Sequence, residues 1–389
     1  MPSIPPFSNH LPVRIRFGDG VARELGSIVA AEGVATAVVI IDAGLEAQSP
    51  AVAAVVQSVE AAGVELVRHV KDAGEPTHGA VDIAAEVLRA ADAGVLIALG
   101  GGSVLDTAKA ARLCLQRGLA FSDFLASERV YAEPTMPLIA VPTTAGTGSE
   151  VSGGAVITDE ATDRKAGIAH PTLRAQHALV DPELTYSVPP KMTAYTGIDA
   201  LAQAVAGMIA KTRTPIGDGI ALEATTLIGG SLVRAYRDGA DHQARSAMAC
   251  GSMMAGLTMN LSDCAAEHSL AQAIGGDFHA PHGLTIGLVL AEVLEREAEH
   301  VPEQLERVAD ALGVPDDGSG DGSRAVGAVR QILRELDFPV LTDLGVNDGH
   351  LDQLTALAQE DYFITQAPVP WTDAEVRAAF ERALAIEAR

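Results

Sequence analysis

An apolar run, Gly94–Leu99 (GVLIAL), passes without interruption into Gly100-Gly101-Gly102-Ser103. Few architectures accept such a junction. A run this short and this apolar fits a strand buried on both faces. Three glycines at its end allow a tight turn and bring main-chain N–H groups close to a ligand. A helix opening there adds partial positive charge, so the junction suits a diphosphate. A glycine run alone also serves plain turn geometry, so its surroundings must decide. Ser103 and Asp106 read as an S-x-x-D capping pair for the helix.

The surroundings repeat the theme. Ala35–Ile41, Val64–Val70 and Leu138–Val141 are further expected strands, with helical patterns between them at Ser49–Ala62 and Ala80–Ala91. Such alternation implies a mostly parallel sheet with helices on its faces. Leu138–Ser152 (LIAVPTTAGTGSEVS) again runs from strand through proline into a Thr/Gly/Ser loop. Asp42, at the end of the first of these strands, is placed to accept hydrogen bonds from a ribose diol. An acid there disfavours a 2′-phosphate, so NAD(H) is expected rather than NADP(H). A simple turn role for Asp42 stays open.

From about Pro189 the pattern changes to Ala/Leu/Met-rich stretches of helical period: Lys191–Ile209, His242–Met259, Ala265–Ile274 and Leu284–Glu299. The expected organisation is therefore an α/β dinucleotide-binding domain over residues 1–188 and an all-helical metal and substrate domain over 189–389. In the helical half, Asp199 and Gln203 lie four apart on one helix face, His268 and Gln272 repeat that spacing, and His282 follows. A carboxylate and two imidazoles from different helices suit a catalytic divalent site with an open position. Oxygen and nitrogen donors without thiolate admit Fe²⁺ or Zn²⁺. Each residue taken singly also reads as an ordinary core or surface group. Asp263 and Glu267, on the approach to His268, would disfavour anionic substrates if they line the pocket. Asp317-x-Ser319-x-Asp321-Gly322 hints at a calcium loop, but Ala328 stands where a bidentate Glu is needed, so a solvated turn is expected.

Charge and cysteines bound the partners. With 51 acidic against 27 basic residues and a formal charge of −24, the chain should repel nucleic acid and anionic membranes. Cys114, Cys250 and Cys264 form no CxxC pair or even framework, as suits a reducing cytosol. The residues from Met1 to His10 show no signal-peptide core, and no apolar run nears the ~18 residues of a span. A cytoplasmic location is expected.

GGGSVLDTAK (Gly100–Lys109), PTTAGTGSE (Pro142–Glu150), DPELTYSVPP (Asp181–Pro190), GIDAL (Gly197–Leu201) and APHG (Ala280–Gly283), in this order, resemble the iron-containing alcohol dehydrogenase family. The resemblance runs from Arg16 to about Leu294. It implies a Rossmann-like N-terminal domain, a helical C-terminal domain, and cofactor and metal in a cleft between them. It further implies hydride transfer between NAD(H) and a small alcohol or aldehyde, and a homodimer or larger homo-oligomer. By motif position Gly101, Gly102 and Ser103 would meet the diphosphate, with Asp106 counted in the same motif. Thr143, Thr144, Thr147, Lys165 and Leu184 would line the rest of the NAD site. Asp199, His268 and His282 fall on metal-ligand positions. Gln203 replaces a fourth ligand His, Gln272 replaces a His near the nicotinamide, and Glu75 stands where Asn is common. Gln ligates more weakly than His and cannot titrate, so His279 is a candidate proton relay beside Gln272. A metal-free enzyme like the maleylacetate reductases, a lyase like dehydroquinate synthase that uses NAD transiently, and a catalytically degenerate NAD-binding protein remain open.

Overall fold

A computed structural model describes residues 6–162 and 164–386. The chain forms two compact units, His10–Val188 and Pro189–Arg389, and the described residues ahead of His10 group with the second.

The first unit is built on six strands: β1 (Arg14–Phe17), β2 (Thr36–Asp42), β3 (Glu65–Lys71), β4 (Val95–Gly100), β5 (Leu138–Pro142) and, further on, β8 (His177–Val180). All pair in parallel, in the order β1-β8-β5-β4-β2-β3. A separate antiparallel hairpin joins β6 (Gly154–Asp159) to β7 (Arg164–Ala169). The central strands split their side chains by a period of two. Val38, Ile40, Leu96, Ala98, Leu138 and Ala140 face one core. Val39, Ile41, Ile97, Leu99, Ile139 and Val141 face the other. Burial on both faces explains why β4 and β5 are uninterrupted apolar runs.

Helix α1 (Pro50–Ala61) covers one face, and α2 (His78–Ala90) with α3 (Gly102–Arg117) covers the other. Ser49 caps α1 and Thr77 caps α2 through their side chains, accepting from the amides of Val52 and Ala80. Helix α3 begins differently. Its N-cap is Gly101, with no side-chain cap, and Ser103 already lies inside the helix. The expected Ser103–Asp106 capping pair is thus corrected: the first amides of α3 are left to a ligand or solvent, and Asp106 bonds elsewhere. Strands β1 and β8 were not expected. Both are four residues long, and β1 (RIRF) is an exposed edge without a core-facing period.

Among its described residues the second unit has helices and no strands. Helix α4 (Pro190–Ile209) is buried almost throughout from Thr193 onward. It packs on α5 (Pro215–Gly229), α6 (His242–Ser262) and α8 (His282–Ala298), while α7 (Ala266–Phe278) packs on α8. Pro190 and Pro215 sit in the first turns of their helices, where a missing N–H costs nothing. One stretch, Pro215–Arg237, does have the length and apolarity of a membrane span, with 44% of the tested window buried. Asp218 and Glu223 interrupt it, so no uninterrupted apolar run nears the length of a span. The stretch breaks after Gly229 into α5 and a short helix, Leu232–Arg237, and Asp218 within it pairs with Arg213 at 2.7 Å. The 315–323 segment is a turn, with Asp316, Asp317 and Asp321 each accepting from a backbone amide two residues on.

Candidate functional site

The glycine turn gathers much of the expected nucleotide set. Gly100 closes β4, Gly101 caps α3, and the loop after β5 folds over them, Thr143 N–H donating to Gly100 O at 3.0 Å. The fit is close. A Cβ on Gly102 would lie 2.7 Å from Thr147 Cγ2, and one on Gly101 would lie 3.5 Å from Thr144 Oγ1. Gly101, Gly102, Ser103, Thr144 and Thr147 all keep some exposure, whereas Thr143 is buried. Asp42 ends β2 beside them and accepts from Gly101 N–H at 3.5 Å. Burial pushes its carboxyl above the usual range despite the nearby Lys71 ammonium.

Behind the turn lies a closed polar network. Asp106 accepts from Ser149 Oγ at 2.6 Å and from Val156 N–H at 2.9 Å. Fully buried Lys109 donates to Ser149 Oγ (2.7 Å), Ser152 Oγ (3.3 Å) and Gly154 O (2.8 Å). Burial lowers its ammonium pKa to about 8. Both oxygens of Asp106 are engaged, so its part is to hold the Thr/Ser loop. Lys165 stands on β7, paired with Glu75 at 3.3 Å. Leu184 follows β8 with its side chain buried in the sheet core. These two are not brought into the glycine turn by any contact of their side chains with it.

In the helical unit three elements bring Asp199, His268 and His282 together. Asp199 comes from mid-α4, His268 from the first turn of α7, and His282 is the first residue of α8. Asp199 Oδ1 lies 3.8 Å from His268 Nε2 and 3.6 Å from His282 Nε2. One ligand atom from each of the three falls within 4.8 Å of the others. Asp199 and His268 are buried, while the His282 side chain is 29% exposed and leaves the cluster an accessible side. Gly283 sets this approach: a Cβ there would lie 2.2 Å from Tyr195 O, so the start of α8 rests on the backbone of α4.

Gln203 follows Asp199 by one turn of α4 and is 3% exposed. Its Oε1 is buried and has no hydrogen-bond partner. Buried oxygen without a donor is costly, and a cation is one group that removes the cost. The donor set therefore fits a divalent ion of the Fe²⁺ or Zn²⁺ kind. Burial would depress the His268 pKa, yet its contacts with Cys264 and Glu267 hold it well above the ordinary value in the metal-free protein.

Several neighbours were not legible beforehand. Cys264 lies with Glu267 and His268 in an overlapping cluster, and burial raises its thiol pKa to about 11. Glu267 does not line an open pocket. It is 1% exposed, with Oε1 2.8 Å from His268 Nδ1, which corrects its expected place. Asp263 is half-buried at the end of α6 with φ 74°, a conformation that disfavours side chains. Its carboxylate accepts from Cys264 N–H and from Tyr362 OH, both at 2.9 Å. The Phe363 ring packs 5.4 Å from that of His268. His279 is the exposed, left-handed cap of α7, and Gln272 is half-buried one turn beyond His268. Only the position next to a ligand in sequence pointed to Glu267; the 362–363 turn, nearly a hundred residues on, left no signal.

Comparisons with known proteins agree with this build. Residues 12–182 match the model for "Iron-containing alcohol dehydrogenase", and residues 193–384 match that for "Fe-containing alcohol dehydrogenase family, C-terminal". The chain is 34% identical over 356 residues to a choline dehydrogenase of Bacillus subtilis, covering 90% of this chain and 88% of that one. Among solved structures, a 1,3-propanediol oxidoreductase superposes with TM-score 0.93 at 27% identity, covering 97% of this chain and all of the other (100%). An alcohol dehydrogenase from Oenococcus oeni gives TM-score 0.92 at 30% identity, with 97% and 100% covered. Parallel-sheet unit, helical unit and relatives together define an oxidoreductase acting on alcohols. The chain belongs to the iron-containing alcohol dehydrogenase family.

Proposed function

We propose that this protein is an NAD(H)-dependent alcohol dehydrogenase or aldehyde reductase whose divalent metal is held by Asp199, His268 and His282, with Gln203 Oε1 as an added oxygen donor. The observation that carries the reading is the convergence of three donors from α4, α7 and α8 beside the partnerless Gln203 oxygen. A divalent cation there supplies Lewis acidity that lowers the pKa of a substrate hydroxyl. In the sheet unit the free N-terminal amides of α3 bind the diphosphate of the dinucleotide, and Thr144 and Thr147 flank it. Asp42 accepts from the adenosine ribose, which favours NAD(H) over NADP(H). Residues 10–188 thus serve as the cofactor domain and 189–389 as the metal and substrate domain.

Gln272 cannot titrate, so the substrate proton leaves by another route, with exposed His279 as the candidate acceptor. His279→Asn is expected to leave NADH affinity intact and lower turnover near neutrality; unchanged turnover removes His279 from the mechanism. For the substrate we propose a small alcohol or aldehyde, neutral or cationic. Asp263 with Tyr362 and Phe363 supplies negative charge and aromatic faces of the kind that attract cations, and one relative is a choline dehydrogenase. Turnover should favour neutral and cationic substrates over a carboxylated aldehyde; preference for the acid would sink this part. We also propose a cytoplasmic homo-oligomer, the three cysteines being free.

The deciding test is elemental analysis of protein purified without chelator, with NADH oxidation by an aldehyde panel before and after chelation. About one Fe or Zn per chain, with activity lost on chelation and restored by metal, supports the reading. Activity without metal moves the protein to a metal-free reductase. Neither metal nor activity leaves a degenerate NAD binder.

A further inference from the structure

His268 has two ring nitrogens, and only one faces Asp199. Nε2 lies 3.8 Å from Asp199 Oδ1, while Nδ1 lies 2.8 Å from Glu267 Oε1. The same Glu267 oxygen takes the backbone N–H of Ala265 at 3.0 Å. An oxygen placed between a backbone N–H and a ring nitrogen acts as acceptor for both. The proton of a neutral His268 is therefore on Nδ1, and the lone pair is on Nε2, toward Asp199 and His282. Glu267 is buried to 1% exposure, and its Oε2 has no hydrogen-bond partner. Burying a carboxylate oxygen without a donor costs stability.

We propose that Glu267 is the positioning residue of the metal site: it fixes the tautomer and ring angle of His268 so that Nε2 presents its lone pair to the ion. The proposal rests on the metal-site reading above. A carboxylate accepting from the far nitrogen of a ligating imidazole also raises that ligand's basicity. This matters more where the neighbouring donor is Gln203, a neutral amide oxygen that binds a cation weakly. The geometry is built locally: Ala265 is the N-cap of α7, so the residue that starts the helix also orients the carboxylate that orients the ligand.

Two readouts test this apart from activity. In the Zn²⁺-loaded wild type, ¹⁵N shifts of the His268 ring should show Nδ1 protonated and Nε2 bound to the ion; a free, unprotonated Nδ1 or zinc on Nδ1 overturns the assignment. In competition with a chromophoric chelator, using Zn²⁺ as probe, E267L should bind about ten- to hundredfold more weakly than wild type. E267Q keeps an acceptor oxygen of the same reach and should recover most of that loss, with the cobalt-substituted visible spectrum following the same order. The near-isosteric E267Q, checked by thermal melting, keeps the test valid should E267L fold poorly. Equal zinc affinity and identical cobalt spectra in wild type, E267Q and E267L overturn the positioning role alone. A wild type that takes up no Zn²⁺, or takes up no more than H268A, overturns the metal-site reading and this proposal together.

Discussion

The glycine turn of the sheet unit and the Asp–His–His cluster of the helical unit solve opposite electrostatic problems. Around the turn, buried charge is settled internally: Lys109 has three acceptors, and Asp106 has two donors. What remains open is backbone, the first amides of α3. Around the Asp–His–His cluster two buried acceptors, Gln203 Oε1 and Glu267 Oε2, remain without donors. The first arrangement is complete as protein and awaits an anion on neutral amides. The second is short of positive charge. One chain thus holds a site defined by shape and a site defined by deficit.

Removing a donor from the deficit should do the most damage. His282→Ala is expected to abolish stoichiometric metal binding and lower kcat/KM on the order of a thousandfold, since Lewis-acid assistance is worth several kcal/mol. NADH binding, followed by fluorescence, should stay near wild type; a joint loss would break the division between the two sites. The reciprocal change is Gly102→Ala, whose Cβ would meet Thr147 Cγ2 at 2.7 Å. It should weaken NADH by about tenfold, equivalent to ~1.4 kcal/mol, and leave metal content unchanged.

Asp42→Asn keeps an oxygen for Gly101 N–H and removes the charge. It should narrow the preference for NADH over NADPH by roughly severalfold, on the scale where tenfold is ~1.4 kcal/mol, read as the ratio of kcat/KM values. An unchanged ratio would return Asp42 to a turn role.

The smallest effect concerns pH, and there the units behave alike. Burial raises Glu150 in the sheet unit and Glu297 in the helical unit from the ordinary 4.5 to about 7. The Glu297 carboxylate also takes Trp371 Nε1–H at 2.7 Å and faces Arg296 and Glu267. A raised carboxyl binds its proton more tightly in the folded state. Its stabilising share is full below about 4.5 and is lost as pH rises through about 7. Lys109, lowered to about 8 from 10.5, acts in the opposite sense and at higher pH. The Tm of the metal-free protein should fall between about pH 5 and 8, and Glu297→Gln should reduce that fall by about 2 °C in calorimetry.

The sheet unit was readable because its signals are local. GVLIAL carries the both-faces-buried strand in six consecutive letters, and GGG carries its turn. Asp199, Gln203, His268 and Gln272 were readable as helix faces, since spacing of four is local too. What escaped was decided by tertiary contact. Strand β1 shows no core period because it is an exposed edge, held by its pairing with β8. Ser103 spells a capping pair with Asp106, yet the network of Ser149 and Val156 takes the carboxylate. Glu267 reads only as an acid on the approach to His268 until α7 turns it inward against that ring.

Gly283 carries a last implication, for how the ion arrives. Because α8 rests on main-chain atoms of α4, the spacing of His282 to Asp199 depends on two rigid helices rather than on flexible side chains. Loading then resembles setting a stone in a finished mount, unlike small zinc domains that fold only around their metal. Chelation and reloading should be cycles that the fold survives, with the helical content of the protein indifferent to both.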